Sequence, residues 1–160
     1  MLDNKYVFHH SAVLSLNQKL QVAIQLGTVN DLRSVQIRPK SQSGGLGSHV
    51  IRLYEGRTIT NTDDPQLGRR RDRRLSDETP SFPGLSQTDL FLFHTSFDDG
   101  GDGLLLAQQV SETGGEADLG KWIISRGTGN NVFYMIELES LTSGDNEFGI
   151  FINYSFVRNY

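Results

Sequence analysis

Apolar and polar residues alternate along this chain with a period of two, which is the period of a β-strand. Apolar side chains take most of the even positions over residues 6–16, and a second alternation covers residues 20–26. Residues 17–19 form a connection short enough for a hairpin, so these two strands are expected to pair as a meander. Shorter alternating stretches at residues 34–38 and 49–55 predict two more strands on either side of a glycine-rich turn.

The last third of the chain carries the clearest strand pattern. Residues 132–138 alternate between apolar and other side chains, and residues 148–157 do so after a Ser-Gly-Asp-Asn turn at residues 143–146. Two long strands joined by such a turn predict an antiparallel hairpin. The second of them is apolar on both sides, because Phe151 and Val157 lie opposite its main apolar row.

Residues 90–93, 104–110 and 121–124 add short apolar segments, and glycine occurs at each break. Eight or nine short strands with almost no helical periodicity predict an all-β chain that forms one domain over residues 1–160. The expected architecture is a single antiparallel β-sandwich of the jelly-roll type, with a closed barrel as the alternative. Periodicity is lost at about residues 56–89, which predicts one long loop, and loops of that length are usually functional or disordered.

The amino-acid composition limits the kinds of partner that this chain is expected to bind. Fifteen Lys and Arg against nineteen Asp and Glu give a formal net charge of −4, so a dedicated nucleic-acid-binding domain is not expected. The chain has no cysteine, which removes disulfides and thiolate chemistry. No apolar run approaches the length of a membrane span, and the first residues lack the positive charge of a signal peptide. We therefore expect synthesis in the cytoplasm without export, and no membrane partner.

A run of arginines makes one part of this acidic chain locally basic. Five of the eleven arginines fall within six residues of the long loop, namely Arg69, Arg70, Arg71, Arg73 and Arg74. Such a run pairs with acidic residues of its own loop, docks an acidic protein through bidentate carboxylate contacts, or binds phosphates. The run contains no aromatic residue for stacking on bases, which disfavours the nucleic-acid option.

An acidic, glycine-rich segment resembles part of a calcium loop. Asp98 and Asp102 take the first and fifth positions of that pattern, with Asp99 between them and Gly103 at the sixth. The pattern then fails, because its twelfth position is Gln109 rather than a glutamate. An acidic turn between two strands is the preferred interpretation, and a calcium ion bound by Asp98, Asp99 and Asp102 is the alternative.

No catalytic residue and no cofactor is predicted. His9 and His10 are adjacent, so on a strand they point to opposite faces and cannot chelate one metal ion together. Glu137 and Glu139 share a strand face at about 7 Å, which suits a glycosidase on spacing alone. Exposed carboxylates on a half-buried strand are the preferred interpretation. An aromatic platform for sugar rings stays open as an alternative for Trp122, Tyr54, Tyr134 and Phe151.

Two stretches of the chain resemble small β-sandwich structural proteins of tailed bacteriophage particles. They are residues 31–39 leading to residues 49–55, and the closing pair of strands at residues 132–138 and 148–156. The resemblance implies a capsid decoration (cement) protein, a head fibre, or a baseplate or tail-fibre adaptor, located in the virion after synthesis in the host cytoplasm. The chain has no repetitive shaft, which favours a compact decoration or adaptor subunit.

Docking rather than catalysis is the work that this resemblance implies. The partners expected are further copies of the chain, with a trimer favoured, and other virion proteins. A second apolar strand face needs a partner to cover it, so we predict contacts through Phe151 and Val157 and through Arg69, Arg70, Arg71, Arg73 and Arg74. The alternative is a carbohydrate-binding or receptor-binding module of a tail fibre or baseplate, with a host surface glycan as its ligand.

Overall fold

The computed structural model describes residues 5–26, 32–40, 47–71, 91–111 and 132–156. These residues form β-strands and no helix, so the all-β prediction is confirmed. The described part of the chain therefore has no helix that could cross a membrane. The ten strands are β1 (Lys5–Leu14), β2 (Lys19–Leu26), β3 (Leu32–Lys40), β4 (His49–Thr60), β5 (Arg69–Arg70), β6 (Phe91–His94), β7 (Asp98–Asp99), β8 (Leu104–Ser111), β9 (Val132–Ser140) and β10 (Asn146–Phe156).

The strands form two antiparallel sheets. The smaller sheet has the order β3-β10-β1-β5, and the larger has the order β6-β2-β9-β4-β7, with β8 also paired to β4. One of the sheets is curled like half of a barrel. In β4 the register shifts between Tyr54 and Arg57, and Gly56 there has a φ of +68°. Such a bulge bends its strand, which lets the end of β4 turn away from the line of its first half.

Both sheets bury side chains in the same core. The ring of Phe8 on β1 stacks on that of Phe93 on β6 with centroids 4.1 Å apart, and Phe93 also contacts Tyr154 on β10 at 5.5 Å. The core continues through buried residues of β1, β2, β4, β9 and β10, among them Leu14, Val22, Ile24, Leu53, Ile136, Leu138, Ile150 and Ile152. Stacked and tilted aromatic pairs of this kind add to the burial of their apolar surface.

Both hairpins expected from the sequence are wrong. β1 pairs with β10 and β5, whereas β2 pairs with β9 and β6. In the same way β9 lies between β2 and β4 in the larger sheet, and β10 lies between β1 and β3 in the smaller one. The apolar rows of consecutive strands therefore meet across the core instead of lying side by side in one sheet. Alternation alone does not distinguish these two arrangements.

The predicted long loop is shorter than expected at its start. β4 continues through Gly56 to Thr60, and the described residues that follow include the short strand β5. β3 also extends beyond the predicted residues 34–38, and Pro39 is paired with Ile150 within it. Proline is tolerated in such a strand when it lies at the end of a sheet, as β3 does in the described strand order. The strand expected at residues 121–124 lies outside the described residues.

Phe93→Ala tests whether one core holds the two sheets together. The ring is fully buried and contacts both β1 and β10, so its removal should lower the free energy of unfolding by about 3–5 kcal/mol. Val13→Ala, at a side chain that is 61% exposed, is the matched control and should change it by less than about 0.5 kcal/mol. Urea denaturation measures both variants, and equal effects would contradict the shared core.

Candidate functional site

The short strand β5 divides the arginine run between two sides of the smaller sheet. Arg70 lies opposite Tyr6 and Arg69 lies opposite Val7 on β1. Because Tyr6 belongs to the core, Arg70 points inward and is only 1% exposed, with its Nη2 donating to the Tyr6 hydroxyl at 2.9 Å. Arg69 and Arg71 are exposed. Burial removes Arg70 from the predicted partner contacts, and Arg73 and Arg74 lie outside the described residues.

The loop before β5 is fastened to β6. The backbone N–H of Asp63 donates to the carbonyl of Ser96, and its carboxylate accepts hydrogen bonds from the N–H and hydroxyl of Thr95. Gln66 and Phe93 exchange two backbone hydrogen bonds of 2.8 and 3.0 Å. Burial by itself would raise the pKa of Asp63, but the hydrogen bonds from Thr95 outweigh it and lower that pKa. These contacts fix where β5 meets β1.

Phe151 lies on the outward side of the same sheet as Arg69. It pairs with His9 in the register of β1 and β10, and the two rings stack with centroids 4.1 Å apart. Tyr6, Phe8, Ile150 and Ile152 point into the core, so alternation along β1 and β10 turns Val7, His9 and Phe151 away from it. We call these three residues and Arg69, together with the exposed Arg71 that directly follows β5 in the chain, the basic–aromatic face. Val157, the other predicted contact on this strand, lies outside the described residues.

The positive charges of the basic–aromatic face are not compensated within the described residues. Arg69 and Arg71 make no hydrogen bond and no ion pair there. Val13, further along β1 on the same side, is largely exposed. A half-buried aromatic ring on the same side of the sheet as an exposed arginine and an exposed valine has the composition of a protein interface.

The acidic segment fastens a turn to β4, and each carboxylate has its own partner. Asp99 accepts hydrogen bonds from Nε of Arg57 at 2.7 Å and from Nη2 at 3.1 Å. Asp102 accepts from the backbone N–H and the hydroxyl of Thr58 at 2.7 and 2.6 Å. Asp98 accepts from the side-chain amide of Asn61. The three carboxylates are directed at three different donors of β4 and the loop after it.

The glycines of this turn are explained by close packing against β4. Gly103 has a φ of +89°, and a Cβ there would lie 2.5 Å from the carbonyl oxygen of Glu55. A Cβ on Gly100 would lie 2.7 Å from the carbonyl oxygen of Thr58. The glycines therefore let the backbone approach the neighbouring strand and turn sharply. An acidic turn between two strands was the interpretation preferred from the sequence. It accounts for the same residues that resemble part of a calcium loop.

The described histidines are spread over separate contacts. His9 stacks on Phe151, whereas Nδ1 of His94 donates to the carbonyl of Asp63 at 3.0 Å and Nδ1 of His49 donates to that of Gly47 at 2.9 Å. His10 is half-buried, and burial, followed by the nearby His9, lowers its pKa. The described residues contain no group of three or more histidine or acidic side chains that could hold a metal ion.

Glu137 is the centre of a polar cluster that the sequence interpretation missed. It was expected to be exposed, which is wrong, since it is 2% exposed on the central strand β9. Its carboxylate accepts from Gln21 Nε2 at 3.0 Å and from Arg52 Nη1 at 3.1 Å, and Nζ of Lys19 lies 3.5 Å away. Arg52 also donates to Glu139 at 3.0 Å. One guanidinium thus bridges the two carboxylates that the glycosidase spacing had singled out.

A second apolar cluster lies on the side of the larger sheet that also carries Glu137. Ala23, Ile59, Phe133 and Met135 pack together there, away from the main core. Ile59 belongs to the end of β4 beyond the bulge, where the strand still pairs with β9. The apolar residues at both 133 and 135, between those that face the core, were the sequence signal for a strand covered on two sides.

No family model and no curated protein matches this chain. The functional argument therefore rests on the geometry of the two outward surfaces, which are the basic–aromatic face and the polar cluster around Glu137.

Arg70→Ala and Arg69→Ala separate the buried arginine from its exposed neighbour. Losing the Arg70 guanidinium leaves the Tyr6 hydroxyl without this donor and opens a gap in the core, so we expect unfolding to become easier by about 3 kcal/mol. Arg69→Ala should change stability by less than about 0.5 kcal/mol. Thermal and urea denaturation report both values. A stability loss that is equal in the two variants would be inconsistent with the register of β5.

Asp99 makes stability depend on pH. Burial alone would raise its pKa, but hydrogen bonds from Arg57 and from the Gly101 N–H outweigh burial and lower it below the ordinary value of 3.8. A lowered native pKa stabilises the fold above that ordinary value, and the stabilisation is lost as the pH falls through the lowered pKa. Asp99→Asn should lower stability at pH 7 by about 1 kcal/mol, and its stability should converge on that of the wild type as the pH falls through the lowered pKa.

Denaturant titrations between pH 7 and pH 2 measure this dependence. Asp64→Asn is the control, because Asp64 is exposed and forms no hydrogen bond among the described residues. A wild-type and Asp99→Asn pair whose stabilities stay parallel over the whole range would contradict the assigned role of Asp99.

Proposed function

We propose that this chain is a non-catalytic structural subunit that docks as a homo-oligomer on the particle of a tailed bacteriophage. A capsid decoration (cement) or adaptor subunit is the role that fits best, and the virion is its location. Docking uses the basic–aromatic face, and the further partners are other virion proteins. The assignment to a phage particle is based on the resemblance of residues 31–55 and of the last two strands to such proteins. The docking role is based on the geometry of the face.

One observation carries the docking proposal. Arg69 and Phe151 are far apart in sequence, yet β5, β1 and β10 bring them to the same side of one sheet. The predicted contacts thereby become a single surface instead of two unrelated ones. Arginines that form no ion pair within the described residues, on the same side of the sheet as a stacked aromatic ring, supply both the charge and the apolar area that binding hot spots combine.

We also propose that the fold is a β-sandwich of the jelly-roll type. Two antiparallel sheets that share one core, with consecutive strands divided between the sheets, support this assignment. Such a frame leaves the outward side of each sheet for contacts, which is what a docking subunit needs.

Binding of a host surface glycan is the second candidate function. It is favoured by the polar cluster on the larger sheet, where Gln21, Arg52 and Glu139 are held in place by hydrogen bonds. Tyr54 lies on the same strand as Arg52, with the guanidinium of Arg57 4.1 Å from its ring centroid. Planar polar side chains beside an aromatic ring offer the hydrogen bonds and the stacking surface that sugars use. Trp122, the other aromatic considered, lies outside the described residues.

Phe151→Ala tests the docking proposal. We expect the wild-type chain to be oligomeric by light scattering at about 100 µM and to be found in purified particles of the phage that encodes it. Removing the ring takes away apolar contact area at the centre of the face, so dissociation should be at least about tenfold easier. Leu141→Ala removes an exposed apolar side chain outside this sheet and should have no effect.

Two results would contradict the proposal. One is a wild-type chain that stays monomeric and is absent from purified particles. The other is saturable binding to a glycan panel that Arg52→Met abolishes while Phe151→Ala has no effect on assembly, which would establish the carbohydrate-binding alternative.

A further inference from the structure

We infer that the basic–aromatic face of one copy docks on the acidic turn of the next copy, so that the homo-oligomer is held by a head-to-tail contact between two different surfaces. This inference rests on the proposed function and names the partner surface. The acidic surface consists of Asp98, Asp102, Leu104 and Leu105 and is called the acidic edge below. Its occupant is a second copy of the same chain.

The acidic edge carries two exposed carboxylates that form no ion pair within the described residues. Asp98 accepts a hydrogen bond from the Asn61 amide, and Asp102 accepts from the N–H and hydroxyl of Thr58. The neighbouring Asp99 is paired with Arg57, which also donates to the backbone carbonyl of Asp102. The whole segment from residue 91 to residue 111 contains three aspartates and no lysine or arginine. The exposed charges of this turn are therefore negative, since Arg57, which holds it to β4, is buried.

Apolar surface lies directly beside these carboxylates. Leu104 and Leu105 follow the turn and are 63% and 45% exposed. The basic–aromatic face combines apolar side chains with the opposite charge, because Arg69 lies opposite Val7 on the side of the sheet that carries the Phe151 ring. Two surfaces that match in apolar content and are opposite in charge favour each other as partners.

The contact is between copies and not within one chain. Arg69 and Arg71 make no ion pair with Asp98 or Asp102 in the described structure. The basic–aromatic face lies on the outward side of the smaller sheet, whereas the acidic turn is fastened to β4 of the larger sheet. Because the two sheets pack on a common core, their outward sides point away from each other, and a second copy is needed to bring them together.

Charge also decides how the copies are arranged. A twofold contact centred on either surface would place that surface against itself, and like charges opposed in this way repel. A reciprocal twofold contact would need both surfaces on one side of the molecule, whereas they belong to different sheets. A head-to-tail contact pairs each surface with its opposite and closes into a ring when the rotation between copies allows it. The trimer expected from the sequence is one such ring.

Matched charge-reversal variants test the inference. Arg69→Glu with Arg71→Gln changes the charge of the basic–aromatic face by three units, and Asp98→Lys with Asp102→Asn changes that of the acidic edge by three units in the opposite direction. Asparagine at 102 keeps an oxygen for the Thr58 hydroxyl to donate to. All four side chains are exposed, so both variants should unfold at close to the wild-type temperature.

Sedimentation velocity over a range of concentrations is the readout. Each variant alone should dissociate at least about tenfold more easily than the wild type, and wild-type assembly should weaken between 50 mM and 500 mM NaCl because salt screens exposed charges. In an equal mixture of the two variants, each contact between unlike variants brings complementary surfaces together, so mixed species should form that neither variant forms alone. Combining all four substitutions in one chain should restore assembly for the same reason.

The possible failures are distinguishable. If the wild type assembles and loses assembly on Phe151→Ala, yet both charge-reversal variants assemble like the wild type, the acidic edge is not the partner surface and the proposed docking function survives. If only the arginine variant dissociates, the face binds something other than the acidic edge, and the inference is overturned. A wild-type chain that is monomeric at every concentration overturns both proposals. If the Asp98→Lys variant melts early, Asp98→Asn replaces it, and undiminished assembly then counts against the inference.

Discussion

The contact of Phe93 with Phe8 and Tyr154 is the constraint on which the rest of the structure depends. It joins β6 of one sheet to β1 and β10 of the other. Because both sheets must bury their apolar rows in this common core, strands that follow each other in sequence are divided between the sheets. Which side of each strand faces outward is then fixed, and with it the set of residues that a partner can reach.

The position of Arg69 in the candidate site follows from this constraint. Phe93 also pairs with Gln66 through its backbone, and Asp63 is fastened to Thr95 just beyond β6, so the loop leading to β5 is fixed at two points. These fixed points place Arg70 opposite Tyr6, where its guanidinium finds the tyrosine hydroxyl. A guanidinium is costly to bury without such a partner. Because successive side chains of a strand point to opposite faces of the sheet, the inward position of Arg70 places Arg69 on the outward face.

The sequence pattern predicted where the strands lie better than it predicted which strands pair with each other. Alternation located β1, β2, β9 and β10 and placed His9 and His10 on opposite sides, because period two is a local property of the chain. Strand pairing is not local, so Tyr134 and Ile150 were expected in one hairpin although they face each other across the core. The burial of Glu137 and Arg70 also escaped prediction, because a charged residue becomes buried only where distant residues supply its partners, here Gln21 and Arg52 for Glu137 and Tyr6 for Arg70.

The two outward sides of the molecule differ in how far their charged side chains are paired within the chain. On the larger sheet, Arg52 is shared by Glu137 and Glu139, and Arg57 is held by Asp99, so most of the charge there is neutralised by neighbours in the same chain. Arg69 and Arg71 on the smaller sheet, and Asp98 and Asp102 at the turn, are left with neutral partners or none among the described residues. Internal ion pairs stabilise a fold without attracting a partner, whereas exposed charges of opposite sign at separate places do little for the fold. In the proposed oligomer, these charges draw two copies together in a defined orientation.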